Sequence, residues 1–395
     1  MNPNQQLPNL MQVRAWGRVA ELGSVSKASE ALFRAQSVVT RAILDIETYL
    51  GVALFERHPN GMRLTEEGAR VLPRARRVLD ELNGVPGMLN GINPSAVEPL
   101  YLFQTRRLQL FVKLYETHHM RTVANLFALT QPAVSAALKV LESGAGVRLF
   151  ERTPQGLLPT PVSREIVFPI RRALNELRHI PADLAAAKGS LEGVVYVGAL
   201  PLGRTSILPD AVASLVACHP DVQVVTNESP FDLLATDLRA GDIDFIFGAL
   251  RNEHYASDLC GEPLMYEQMV ILVRQGHPLL TTPLTGHHLA QACWILPRAG
   301  SPAREMLTAC FEDQGMSSPR PTVESGDLAI IRGLLERSDM LAVVSAHQLE
   351  CEISSQTLCV LPWALQKTDR AIGLTLRRTG LPSPASQALM TLIRQ

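Results

Sequence analysis

Residues 54–61 read LFERHPNG, and ninety-five positions later residues 149–156 read LFERTPQG. No other feature constrains the fold as strongly, because a repeat of this quality requires one local structure to be built twice. The same offset carries outward without a gap. AQSVVT (35–40) faces TQPAVS (130–135), Glu47 faces Glu142, Gly51 and Val52 face Gly146 and Val147, and Thr65 faces Thr160. Apolar spacing matches better than identity: Val39, Ile43, Ile46 and Leu50 step by 4, 3 and 4, one stripe of an amphipathic helix. Val134, Leu138, Leu141 and Ala145 repeat that stripe, and Leu10, Val13, Trp16, Gly17 and Ala20 have counterparts in Thr105, Leu108, Phe111, Val112 and Tyr115.

Each copy therefore predicts a helix, a short second helix (26–33 in copy 1), a tight turn and a third helix, then strand, turn and strand. Phe55 and Phe150 fall on the first strand, where a ring can cap a small three-helix core. Pro59, Asn60 and Gly61, like Pro154, Gln155 and Gly156, supply the chain reversal. This is a winged helix-turn-helix, whose third helix suits a DNA major groove. The order turn, QPAVS, helix, LE, GV, LFER, turn, G resembles the DNA-binding domain of LysR-type transcriptional regulators. Copy 2 keeps Gln131, Pro132, Ala133, Val134, Ser135, Leu141 and Glu142 as that family has them, whereas copy 1 has Ser37 in place of the proline. Two copies are a departure from the family, which normally carries one.

The candidate DNA-binding residues are Gln36, Ser37, Thr40, Arg41, Arg57 and Arg63 in copy 1, and Gln131, Pro132, Ser135, Lys139 and Arg152 in copy 2. Thr130 and Pro132 make a good helix start, while Ala35 at the same place lacks a capping side chain. Copy 1 is nevertheless the better supplied reader: Arg41 and Arg63 face Ala136 and Leu158 in copy 2, and arginine is the commonest bidentate guanine contact. Both copies are expected to bind DNA, the rival being that one serves packing or dimerisation. Arg57 and Arg152 suit phosphate, or equally an ion pair with Glu56, Glu151 or a third-helix carboxylate.

Bulk numbers support a divided chain. At 395 residues it exceeds one ordinary domain. The net charge of −1 hides 23 Lys/Arg against 16 Asp/Glu in residues 1–190, a net of +7, and 14 against 22 thereafter, a net of −8. A basic half joined to an acidic half points to a polyanion partner for the first. No apolar run approaches the roughly 18–20 residues of a membrane span, and the start MNPNQQLPNL lacks the features of a secretory signal, so a cytoplasmic location is expected. The six cysteines lie between Cys218 and Cys359 without a CxxC pair, which predicts reduced, mostly buried thiols. Cys218, Cys293 and Cys310 stand in apolar surroundings and are expected to be inert, with redox sensing the lesser reading.

Residues 66–83 and 161–188 read as long helices interrupted by Pro73 and Pro169, and the Gly-, Pro- and Asn-rich stretch from 83 to 99 reads as a hinge. In the LysR-type family the corresponding helix pairs between subunits, so the resemblance implies a homodimer or homotetramer through linker helices. From Val194 strands alternate with helices, which predicts parallel sheet. The stretches LEGVVYVGALPLGR and RAGDIDFIFG resemble that family's two-lobed, periplasmic-binding-protein-like (type 2) effector domain. The fold class is thus mixed: two winged helix-turn-helix domains ahead of an α/β domain of two lobes. The expected boundaries are 7–65, a linker helix at 66–83, a hinge at 84–101, a second winged helix at 102–160, a second linker helix at 161–190 and the effector domain at 191–395. Lobe I is placed at about 191–261 and 350–395, and lobe II at about 262–349.

In such a domain a ligand lies between the lobes, at strand ends and helix N-termini that favour an anion. The positions selected are Leu202, Gly203, Arg204, Thr205, Ser229, Arg298, Ser301 and Ser325, although Ser229 and Ser301, each before a proline, also look like ordinary N-caps. A small organic, aromatic or sugar acid is the expected effector, with promoter DNA and, by resemblance, RNA polymerase as partners. The adjacent pairs His118–His119 and His287–His288 lack metal-ligand spacing, and no nucleophile, zincin, Walker or dinucleotide motif occurs, so neither cofactor nor enzymatic activity is expected. The alternative is a non-regulatory two-lobed binder or enzyme whose N-terminal half serves assembly.

Overall fold

The computed structural model describes residues 6–59, 61–90, 99–154, 156–203, 205–251 and 256–395. The turn residues Asn60 and Gln155, the core of the expected hinge (91–98) and the candidate Arg204 lie outside the described residues. Helices α1 (Leu10–Leu22), α2 (Val25–Ala31) and α3 (Gln36–Leu50), strands β1 (Phe55–His58) and β2 (Gly61–Leu64) and helix α4 (Glu66–Asn90) form the first unit. Then α5 (Thr105–Thr117), α6 (Met120–Leu126), α7 (Gln131–Ala145), β3 (Phe150–Thr153), β4 (Gly156–Pro159) and α8 (Pro161–Ala187) form the second. Each element up to the wing recurs at an offset of 95 residues at both ends. The duplication reaches single dihedrals. Gly23 closes α1 at φ 65 and His118 closes α5 at φ 62, and their carbonyls accept from Met62 N (2.9 Å) and Leu157 N (2.8 Å), fastening the second wing strand to the first helix. Glycine takes that left-handed conformation freely, whereas histidine must be held in it.

Helices α4 and α8 are each other's main partner. Their stripes Val71, Ala75, Val78, Leu82, Val85 and Ile166, Ile170, Ala173, Leu177, Ile180 step by 4 and 3, correspond at the same offset, and are buried throughout. This is the seam of an antiparallel coiled coil. Arg77 Nε donates to Glu176 at 2.7 Å, and Arg172 Nε and Nη2 clasp Glu81 at 2.6 and 2.7 Å. The offset turns Arg77 into Arg172 and Glu81 into Glu176, so the two ion pairs are reciprocal, the signature of a two-fold, isologous interface. The pairing that the resemblance implies between subunits is made in this structure within one chain, between α4 and α8.

The hinge is also corrected at its start: α4 runs to Asn90 instead of ending at 83, with Pro73 and Pro86 inside it. Gly and Pro in a helix interior cost about 1 and 3 kcal/mol. Val85, buried in the seam, shows that packing against α8 outweighs Gly84, Pro86 and Gly87 locally. Helix α8 likewise contains Pro181, the counterpart of Pro86, besides the expected Pro169.

The acidic half holds two five-stranded mixed sheets. Lobe I is ordered β6–β5–β7–β14–β8, from β5 (Gly193–Ala199), β6 (Val222–Asn227), β7 (Phe245–Ala249), β8 (Leu259–Glu267) and β14 (Arg370–Arg377). Helices α9 (Ile207–Cys218), α10 (Phe231–Ala240) and the final α15 (Pro384–Ile393) cover it. Lobe II is ordered β11–β10–β12–β9–β13, from β9 (Met269–Arg274), β10 (Trp294–Leu296), β11 (Pro321–Glu324), β12 (Leu341–Ser345) and β13 (Leu358–Val360). Its helices are α11 (Gly286–Gln291), α12 (Pro302–Asp313), α13 (Leu328–Arg337) and α14 (Glu350–Ser354).

Strands β5–β7 and β10–β12 pair in parallel as expected, but β14 and β9 run antiparallel to their neighbours. The lobe boundaries move accordingly. Strand β8 belongs to lobe I as far as Glu267, and α14, β13, Leu361 and Leu365 belong to lobe II, so the return to lobe I comes near residue 369 and not at 350. The cysteines differ too. Only Cys310 is buried, while Cys218, Cys293 and Cys351 are exposed. Cys218 and Cys293 lie at the ends of a helix and a strand, where apolar sequence neighbours face inward without covering the thiol. Among the described residues no single helix is long and apolar enough to cross a membrane.

Candidate functional site

In both basic units the third helix presents an exposed polar face. Gln36, Ser37 and Arg41 are exposed on α3, with Thr40 half-buried; Gln131, Pro132 and Lys139 are exposed on α7, with Ser135 half-buried. Arg41 Nε lies 2.8 Å from Asp45 one turn on, a solvent-exposed pair that leaves the guanidinium on the surface. The Thr40 hydroxyl donates to Gln36 O at 2.9 Å. Thr130 caps α7, its side chain accepting from Ala133 N at 3.4 Å, while Ala35 caps α3 with no side-chain bond.

The wings explain the repeated glutamate. Glu47 Oε1 accepts from Leu54 N and Phe55 N at 2.7 and 3.2 Å, and Glu142 Oε1 accepts from Leu149 N and Phe150 N at 2.9 and 3.4 Å. The third-helix carboxylate thus holds the start of the wing strand, so it is not the partner of the LFER arginine. Arg57 and Arg152 are both exposed, and among the described residues neither makes an ion pair. Across the first wing Glu56 stands opposite Arg63; in the second Glu151 stands opposite Leu158, which is exposed.

In lobe I, β5 and β6 end side by side, with Gly198 paired to Asn227. Gly203 packs so closely on Phe247 that a Cβ would lie 2.6 Å from its ring. The Thr205 hydroxyl reaches across to His347 O in lobe II at 3.5 Å. Ser229 donates to Asn227 Oδ1 at 2.7 Å and does not cap α10, whose N-cap is Pro230. In lobe II, Ser301 does cap α12, accepting from Arg304 N at 3.3 Å while donating to Arg298 O at 2.7 Å. Ser325, buried, donates its N–H to Leu296 O and its hydroxyl accepts from Asp327 N at 3.1 Å. The predicted positions therefore divide into strand ends of lobe I (Leu202, Gly203, Thr205, Ser229) and of lobe II (Arg298, Ser301, Ser325), joined across the lobes by Thr205.

Charged residues at the crossovers were missed. Glu267, buried at the end of β8, accepts from Ser345 Oγ and lies 3.3 Å from His347 Nδ1. Opposite it on β14 is Arg370, whose pKa burial lowers while Glu267 opposes the shift, and whose Nε finds no hydrogen-bond acceptor among the described residues. Leu250 N bonds Ala371 O, so Arg251 emerges beside Arg370, and its guanidinium stands 4.3 Å over the Phe231 ring at the start of α10. Two arginines thus flank the carboxyl ends of the parallel strands. The available signal was a charged residue at each end of an apolar strand, but β8 and β14 had not been recognised as strands.

The family model described as the LysR substrate binding domain matches residues 188–395. The one described as the bacterial regulatory helix-turn-helix protein, lysR family, matches twice, at 10–69 and 105–164. The HTH-type transcriptional regulator GalR of Pseudomonas putida is 65% identical over 390 residues, covering 99% of this chain and 98% of that protein. GbpR of Azospirillum brasilense is 27% identical over 291 residues, 73% of this chain and 85% of that one. Two solved structures share the fold at lower identity. A full-length OxyR variant from Pseudomonas aeruginosa has TM-score 0.56 at 23% identity, covering 74% of this chain and 94% of its own. CbnR complexed with its target DNA has TM-score 0.54 at 20%, covering 74% and 99%. The solved structures are nearly spanned while a quarter of this chain is left over; the GalR match runs through both helix-turn-helix units.

Proposed function

Because the chain belongs to the LysR family of transcriptional regulators, we propose that its paired winged helices read double-stranded promoter DNA in a sequence-specific way while an organic acid bound between the lobes modulates that binding. The observation that carries the first part is the twin set of exposed third-helix and wing residues on a half-chain of net charge +7. The base-edge candidates are Gln36, Ser37, Thr40 and Arg41 with Gln131, Ser135 and Lys139, Pro132 being a surface contact; Arg57, Arg63 and Arg152 are the phosphate candidates. The CbnR structure complexed with its target DNA supports the DNA partner by analogy; a cytoplasmic location and contact with RNA polymerase belong to the same proposed reading. A two-lobed binder using its N-terminal half only for assembly would leave two exposed reading faces without a use.

The acid is supported by Arg251 and Arg370 at the carboxyl ends of β5–β7, beside the N-terminus of α10, where free N–H groups favour negative charge. Thr205, Ser229 and Ser325 line the approach from the two lobes. Calorimetry with aromatic and sugar acids against neutral sugars tests this. Heat with an acid and none with its amide or a neutral sugar is expected; saturable binding of neutral sugars alone would contradict the carboxylate assignment.

A further inference from the structure

We infer that one chain is a complete two-headed DNA reader, occupying both half-sites of its operator without a second copy. The inference rests on the DNA reading proposed above and goes beyond it in stoichiometry. The reciprocal pairs Arg77–Glu176 and Arg172–Glu81 exchange under the 95-residue offset. Leu10 N also donates to Thr105 Oγ1 at 3.0 Å, and residues 10 and 105 are themselves counterparts, so this contact lies on the same pseudo-two-fold axis. The hydroxyl of Thr105 in turn donates to Pro8 O at 2.9 Å. Both linker stripes are consumed by each other, with Val78, Leu82, Ala173 and Leu177 all at 0% exposure, so neither seam remains for another chain.

The symmetry stops at the sensing domain. On copy 2, Arg171 reaches Asp242 of lobe I at 2.7 Å, and Gly241 rests near Asn175. The corresponding groove on copy 1, lined by Arg18, Glu21, Arg76, Asp80 and Asn83, has no lobe residue in its lining among the described residues. Asp80 stands where copy 2 has Asn175, and its like charge would repel an incoming Asp242 turn. Arg74, buried and paired with Glu176 and Asp183, instead donates to Leu381 O and Pro382 O at 3.1 and 3.0 Å, clamping the helix pair to the single lobe I. Two heads therefore answer to one effector domain. The heads differ at Arg41 against Ala136 and Arg63 against Leu158, so the operator halves should differ also.

The test has two arms on the full-length chain. Native mass spectrometry with the shortest duplex fully protected in a footprint of the gene's own upstream DNA should find one chain per duplex; two chains per duplex overturn the inference. The second arm needs no DNA. Glu81→Arg and Arg172→Glu should each lower Tm, and the double variant should recover most of the loss in samples that sediment as monomers, with Tm independent of protein concentration. Recovery on co-expressing the two single variants as separate chains, or a Tm rising with concentration, would show pairing between chains and overturn it. Absence of any DNA binding contradicts the DNA reading, and the second arm then decides the pairing by itself.

Discussion

Arg370 and Glu142 show how much depends on single side chains. Arg370 has a buried Nε with no acceptor among the described residues, next to Glu267 and Arg251. Arg370→Met should abolish the calorimetric signal of an acid effector while leaving DNA affinity in its absence within a few-fold; unchanged acid binding would remove Arg370 from the site. Glu142 satisfies two N–H groups of its wing, so Glu142→Ala should cost about 1–3 kcal/mol in denaturant unfolding. His179 supplies a pH dependence. Burial, then the charges of Arg178 and Arg74, hold its pKa well below 6.5, although Asp244 Oδ1 lies 3.7 Å away. Asp244 is itself raised by burial, which weakens it as a counter-charge. With the folded pKa below the unfolded one, the unfolded chain takes up a proton first as pH falls. Stability contributed by neutral His179 is therefore present above about pH 6.5 and is lost below it, by at most about 1.4 kcal/mol per pH unit. His179→Gln should flatten that slope in a Tm-against-pH series; an unchanged slope would assign the pH dependence elsewhere.

At the scale of elements, the caps make a symmetric prediction. Thr130 caps α7 and Ala35 leaves α3 uncapped. Ala35→Thr should stabilise, and Thr130→Ala destabilise, by about 0.5–2 kcal/mol each; equal Tm for both variants and the parent would contradict the cap assignment. Elements with strong local punctuation were legible in sequence. Helix α10 closes at Gly241 and α13 runs between the Asp327 cap and Ser338, and β5, β6, β9 and β12 announce themselves as apolar runs. Strands β8 and β14 were not legible. β8 reads LCGEPLMYE, with Pro and Gly inside, and is held as a strand by its long antiparallel pairing to β14, a contact separated by about a hundred residues of chain. Helix α4 was cut short in the expectation for the converse reason: its breakers are local, whereas the seam that overrules them lies in α8. The candidate DNA-binding residues were readable because an offset of 95 aligned them, while Arg251 and Arg370 owe their proximity to a crossover between lobes that no local pattern encodes.

At the scale of the whole molecule, charge and connectivity agree. The half of net charge +7 is the two-headed module, the half of net charge −8 is the two-lobed domain, and Arg74 with α8 couples them. Breaking that coupling should be costly: Arg74→Met leaves Asp183 without its cation and the buried Glu176 with Arg77 alone, about 3–5 kcal/mol of destabilisation. The central claim is that both heads contact DNA. Its most direct measurement is a salt-titrated footprint and affinity on the gene's own upstream DNA, for the parent chain, Arg41→Ala and the pair Ser135→Ala with Lys139→Ala. Affinity should fall steeply with salt, with a log–log slope of roughly −0.9 per phosphate contact. Each variant should weaken binding and shorten protection at one end of the footprint, Arg41→Ala more than the other. A variant set that leaves both footprint length and affinity unchanged would show that its head does not read DNA.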